Sequence, residues 1–163
     1  MSSTTAAKAA SSKNAEAFKP LLFDQHQNET VIILSELIIP ATDTPGAKAA
    51  KVNEFIDLVL HDGKPERRNQ FLQGLGWLDG FAMREHGKPF SNCTQAQQIA
   101  LLERLDQKPG VAAPPELEDG AAFFAEVKRL TVSGYYTSEI GIKELNKSGN
   151  VPASFGCTHG GKH

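Results

Sequence analysis

A chain of 163 residues holds one domain with a real hydrophobic core and leaves little room for a second. Its 17 basic and 19 acidic side chains give a formal charge of -2, so no field is available to gather polyanions, which argues against a nucleic-acid partner. The longest apolar run, residues 31–34 with 37–39, is broken by Ser35 and Glu36 and stopped by Pro40, short of the roughly 18 to 20 residues that span a bilayer.

Residues 1–23 read as a flexible leader. The first fourteen are almost entirely Ser, Thr, Ala and Lys, without the apolar stretch of roughly 7 to 15 residues that a secretory signal needs and without an Arg-Arg pair. Either a disordered head or the mature start of an exported protein fits that composition. From residue 24 the apolar spacing is helical almost throughout, and no alternation lasts long enough for a strand.

A first helix is expected over about 24–39, capped by Asp24, with Val31, Ile33, Leu34, Leu37 and Ile38 on its buried face and Pro40 as its stop. Residues 40–46 are dense in turn formers and read as a bend. A second helix, about 47–61, carries Val52, Phe55, Ile56, Val59 and Leu60 at core-facing spacing. A third begins near Glu66, presents Phe71, Leu75, Leu78 and Ala82, and ends at the Gly87-Lys-Pro89 turn. Thr94 and Gln97 form an expected capping box ahead of Ile99, Leu102 and Leu105. Residues 108–115 form a proline-rich surface loop, and Asp119 is the expected cap of a helix holding Phe123, Phe124, Val127 and Leu130. A short amphipathic turn runs on through Leu145. The expectation is an all-α, single compact domain of five or six helices over 24–146, with an extended tail over 147–163.

Motifs of catalysis are scarce. Gly74, Gly76 and Gly80 imitate a dinucleotide fingerprint, but the third glycine is one position late and no strand precedes it; close helix packing is the better reading. Asp57 and His61, four apart on one helix, offer a carboxylate–imidazole pair, although a solvated histidine at a helix end is the simpler reading. His26 and His86 sit near helix ends with no partner at ligand spacing. Cys157, His159 and His163 form the best metal candidate, but a structural zinc site wants a fourth ligand at tighter spacing. Tyr135 and Tyr136 have no lysine four residues on, and no nucleophile elbow, P-loop or zincin helix occurs. No catalytic, cofactor-binding or metal residue is assigned to the chain.

Leu34-Ser-Glu-Leu-Ile-Ile-Pro-Ala-Thr-Asp-Thr-Pro-Gly-Ala-Lys-Ala49 resembles the opening motif of the gluconate 2-dehydrogenase subunit 3 family. Val52-Asn-Glu-Phe-Ile-Asp57, Gly87-Lys-Pro-Phe90, Phe123-Phe124 and Leu130-Thr-Val-Ser-Gly-Tyr-Tyr-Thr-Ser-Glu-Ile-Gly141 are similar to it in consistent order. The resemblance implies a non-catalytic small subunit that matures, stabilises or co-exports a large FAD-binding flavoprotein of the glucose-methanol-choline type. That enzyme oxidises a sugar, glycoside or polyol, often with a c-type cytochrome. It further implies a periplasmic location with the signal absent or removed, a cytoplasmic complex being the alternative, since family members commonly carry twin arginines and none is visible here. The expected partner interface is Pro40, Ala41, Thr42, Asp43, Thr44, Pro45 and Gly46 together with Tyr135, Tyr136, Thr137, Ser138 and Glu139. Tyr135 and Tyr136 also admit a plainer reading, one buried at a helix end and the other half exposed. Cys157 is the expected site of an intersubunit disulfide. A free thiol or a bond to Cys93, whose pKa the nearby helix end is expected to lower, remains open. The competing function is a stand-alone helical binding module, with or without a metal in the tail.

Overall fold

The chain turns into its first helix at a reciprocal cap. The Asp24 carboxylate accepts from the Gln27 amide at 2.8 Å, and the Gln27 side chain accepts from the Asp24 amide at 3.0 Å. This opens α1, Gln25–Ile38, in a computed structural model that describes residues 17–108 and 110–147. Pro40 cannot continue the helix, and Ile39 closes it by donating to the Ser35 carbonyl.

The second helix, α2, spans Val52–Asp62 and starts later than its composition suggests. Lys51 adopts φ 55°, in the left-handed region, which no helix can run through. Residues 47–51 instead form turns, and the buried Ala47 donates to the Ile39 carbonyl at 2.9 Å. Helix α3, Pro65–His86, opens on a proline that lacks only an N–H the first turn does not use. Gly87 ends it at φ 70°, its amide returning to the Met83 carbonyl.

A 3-10 turn at Phe90–Asn92 leads to α4, Gln95–Leu105, which Thr94 and Gln97 cap reciprocally as expected. A second 3-10 turn, Pro115–Leu117, flows directly into α5, Glu118–Thr137. Leu117 occupies the cap position, so Asp119 is not the cap. It lies in the first turn beside Glu118, where the positive end of the helix favours acidic groups. Ser138 then separates α5 from α6, Glu139–Lys147. Its hydroxyl donates to the Tyr135 carbonyl at 2.5 Å and accepts from the Gly141 amide at 3.1 Å. A side chain at Gly141 would put its Cβ 2.0 Å from that carbonyl oxygen, so only glycine fits this corner.

The described residues therefore form six helices and no strand, the all-α domain expected. Helix α5 is the hub and packs on all five others. Its buried side includes Phe123, Phe124, Val127, Leu130 and Tyr135, facing Leu34 of α1, Ile56 and Leu60 of α2, and Leu75 and Leu78 of α3 in one core. Each such aliphatic or aromatic side chain, withdrawn from water, contributes about 1.5–3 kcal/mol.

The core also reaches into the segment read as leader. The amides of Leu21, Leu22 and Phe23 converge on the Asp57 carboxylate at 2.7, 3.0 and 2.9 Å. Phe23 is buried, its ring 5.9 Å from that of Phe71. The boundary expected at residue 23 thus moves toward the N-terminus, because a buried carboxylate on α2 needs those amides.

Candidate partner interface

Residues 40–46 are fixed from beneath by a side chain the sequence does not single out. Glu36, on the last turn of α1, accepts from the Ala41 amide at 2.9 Å with one oxygen and from the Lys48 amide at 2.8 Å with the other. A carboxylate bound to both ends of a loop holds its chord, and the Thr42 amide, bonded to the Thr44 carbonyl at 3.0 Å, tightens the tip. Gly46 is obligatory: a Cβ there would stand 2.5 Å from the Ala41 nitrogen and 2.6 Å from Glu36 Oε1. Pro40, Ala41, Thr42, Asp43 and Pro45 face solvent, Thr44 is half-buried and Gly46 is buried.

Tyr135 reaches this loop across 90 positions of sequence, its hydroxyl donating to the Pro45 carbonyl at 2.8 Å. The ring is only 3 % exposed, so Tyr135 supports the surface from within and offers no contact area of its own. Tyr136 is 45 % exposed and packs edge-on against Tyr135, with ring centres 5.3 Å apart. Thr137 and Glu139 are exposed and Ser138 is spent on the α5–α6 corner. The two expected segments are thereby tied together by one hydrogen bond, and the outer edge of 40–45 on one and Tyr136, Thr137 and Glu139 on the other face solvent.

The titratable candidates are committed to the fold. Asp57 holds the three amides of the N-terminal segment and is 1 % exposed, so it forms no pair with His61, whose Nδ1 lies 2.9 Å from Asp62 instead. His26 does have a partner: its Nε2 is 2.5 Å from Asp79, whose other oxygen accepts from the Phe90 amide at 2.9 Å. That hydrogen bond raises the His26 pKa above its ordinary value, with the Asp79 charge assisting and burial opposing. Asp79 thus ties α1 and the Phe90–Asn92 turn to α3. Cys93 is buried, and loss of solvent pushes its thiol up rather than down; the expected effect of the helix end is outweighed. Among the described residues no cluster of three or more His, Cys, Asp or Glu is placed to hold a metal. Cys157, His159 and His163 lie outside the described residues.

A family model described as gluconate 2-dehydrogenase subunit 3 matches residues 25–156, which includes every helix. The chain belongs to the gluconate 2-dehydrogenase subunit 3 family. Comparison with curated proteins and with solved structures gave no match. The two segments that carry the resemblance most specifically, 34–49 and 130–141, are the two that the Tyr135–Pro45 bond joins in this subunit 3 chain. Glu36 and Asp79 escape functional reading, and Asp57 is legible only as a partner for His61, because the partners they take are largely backbone amides, which every residue has. The only local signal was a carboxylate on or beside a buried helical face.

Proposed function

We propose that this chain is the non-catalytic small subunit of a heteromeric FAD-dependent dehydrogenase that oxidises a sugar, glycoside or polyol. Its task is to stabilise, mature or co-export the large flavoprotein subunit, which carries the FAD and passes electrons onward, in some complexes to a c-type cytochrome. Membership in a family named as a dehydrogenase subunit makes the chain one part of a larger enzyme. The observation that carries the accessory role is the loop of 40–45, held rigid by Glu36 and Tyr135 while its outer edge faces solvent.

A surface ordered before binding loses little conformational entropy on association, so more of its contact energy appears as affinity. A partner that binds only the folded flavoprotein stabilises it by mass action. A periplasmic complex is the reading that follows, a cytoplasmic one its alternative; no described helix is long and apolar enough to cross a membrane. In this reading Cys157 bonds a cysteine of the large subunit, while Cys93 is a buried free thiol. Non-reducing electrophoresis of the complex should give a band at the summed mass that reductant, or Cys157→Ser, abolishes.

Co-expression with a candidate large flavoprotein subunit provides the test. A tagged small subunit should retain a yellow partner of much higher mass through gel filtration. Replacing Thr42, Asp43 and Thr44 with Gly, Ser and Gly should reduce that recovery more than it lowers the helicity of the small subunit. A colourless, monodisperse chain that is stable alone points instead to a stand-alone helical module.

A further inference from the structure

Helices α3 and α5 run antiparallel, with Arg67 against Glu126, Gly74 against Phe123 and Trp77 against Gly120. Between them lies a groove of about 750 Å³ that the 40–45 surface does not use. Its depth follows from the two glycines. Phe123 occupies the space of a Gly74 Cβ and Trp77 that of a Gly120 Cβ, so aromatic rings pave the floor and do not stand between the helices.

The groove is electrically polarised. At one end Glu126 is shared by two guanidiniums: Arg67 donates twice to Oε1, at 2.9 and 2.7 Å, and Arg129 donates to Oε2 at 2.8 Å and Oε1 at 2.9 Å. Arg129 first, then Arg67, holds the Glu126 carboxyl below its usual range, so the trio carries one net positive charge at neutral pH. Each guanidinium keeps an Nη1 that has no hydrogen-bond partner among the described residues. Asp119 lies at the other end, ten residues back along α5, which is about 15 Å at the helical rise. Along the walls, the Gln70 and Gln73 carboxamides and the Trp77 indole N–H likewise have no partner among the described residues.

Two guanidinium nitrogens without a partner among the described residues suit a carboxylate, and forked arginines bind one more strongly than a neutral donor does. Carboxamides and an indole N–H without a described partner, above an aromatic floor, suit a backbone whose own amides and carbonyls are not yet paired. An extended chain covers about 15 Å in four or five residues. We propose that this groove takes an extended segment of the large flavoprotein subunit: an acidic side chain on Arg67 and Arg129, a small or apolar residue over Phe71 and Trp77, and a basic side chain beside Asp119. The inference rests on the accessory-subunit reading and adds to it a second contact with a defined charge order.

The test uses the full chain, tagged and co-expressed with its large flavoprotein subunit, with retained FAD read by absorbance. Arg67→Glu with Arg129→Glu should lower retained FAD at least tenfold. Ala122→Trp, on an exposed wall of the groove and outside the ion cluster, should lower it comparably while circular dichroism stays unchanged. A photo-crosslinking phenylalanine at Gln73 should mark a large-subunit peptide that contains Asp or Glu. Retention of FAD by both variants at the wild-type level overturns the groove but leaves the accessory-subunit reading intact. So do crosslinks confined to residues 148–163 of the same chain or to a second copy of it. A wild-type chain that retains no FAD removes the accessory reading itself, and the groove's occupant with it.

Discussion

Asp57 sits at 1 % exposure with no cation at ion-pair distance among the described residues, so three amides carry the whole burden of solvating its charge. Hydrogen bonds to a charged group contribute about 1.5–3 kcal/mol, and a buried acceptor site that meets an N–H instead costs a similar amount. Asp57→Asn presents an NH2 where an acceptor oxygen belongs. It should lower unfolding free energy by about 2–3 kcal/mol, and hydrogen exchange should show the Leu21, Leu22 and Phe23 amides losing protection, Leu21 most because it alone meets the second oxygen. Unchanged protection at those amides would disprove the strap. His26 makes a pH-dependent contribution. Its pKa is raised in the folded state by Asp79, with Asp24 and Glu29 adding smaller attractions. The stabilisation is fully present below the unfolded value of 6.5 and is lost as pH rises through the raised folded value. Urea midpoints should therefore fall on going from roughly pH 6 to 8, and His26→Gln should flatten that slope. An equal slope in the variant would place the titration elsewhere. The imidazole is 43 % exposed, so solvent screening keeps the effect modest.

At the scale of elements, the signals that worked are those confined to a few neighbouring residues. Asp24 as a cap, Thr94 with Gln97 and the glycine closing α3 each act within one helical turn, and each appears where the sequence puts it. The starts of α2 and α5 were misjudged because their causes lie elsewhere in space or in a preceding turn. Residues 47–51 have helical composition, but Ala47 gives its amide to Ile39, and Lys51 turns left-handed. The α3 glycines show how tertiary context reverses a local rule. In an exposed helix Gly→Ala stabilises by about 0.8–1 kcal/mol. Gly76→Ala and Gly80→Ala meet no atom within 4 Å and should follow that rule. Gly74→Ala would set its Cβ 2.1 Å from the Phe123 ring, which is buried and cannot retreat, and should destabilise by about 1–3 kcal/mol. Thermal unfolding of the three variants decides between the two influences. Equal shifts in all three would mean that α3 and α5 do not pack through Gly74.

For the whole molecule, several bonds that hold the elements together join residues far apart in sequence, and one-dimensional periodicity carries no trace of them. His26 meets Asp79 across 53 positions and Tyr135 meets Pro45 across 90. The turn chemistry of 40–46 and the tyrosine pair were both legible as features, but their union was not, and the burial of Tyr135 beside an exposed Tyr136 was one of two readings left open. That union yields a prediction separable from stability. Tyr135→Phe keeps the buried ring and deletes only the hydroxyl that bonds the Pro45 carbonyl. Pro45 is exposed, so water can take over the carbonyl and the stability cost should stay near about 1 kcal/mol. The loop, however, loses its tie to α5 while the bonds from Glu36 and Ala47 remain. Ordering it again on binding draws on the association energy at about 1 kcal/mol or more per residue. Tyr135→Phe should accordingly weaken flavoprotein recovery about tenfold, mainly through faster dissociation, with helicity unchanged. Tyr136→Ala, which removes exposed aromatic area and leaves the tie in place, should weaken it through lost contact alone. Surface plasmon resonance of the purified subunits separates the cases, since relief of the Tyr135→Phe defect is expected only when the loop is stiffened independently. Wild-type dissociation from Tyr135→Phe would show that the loop does not need its internal tie to bind.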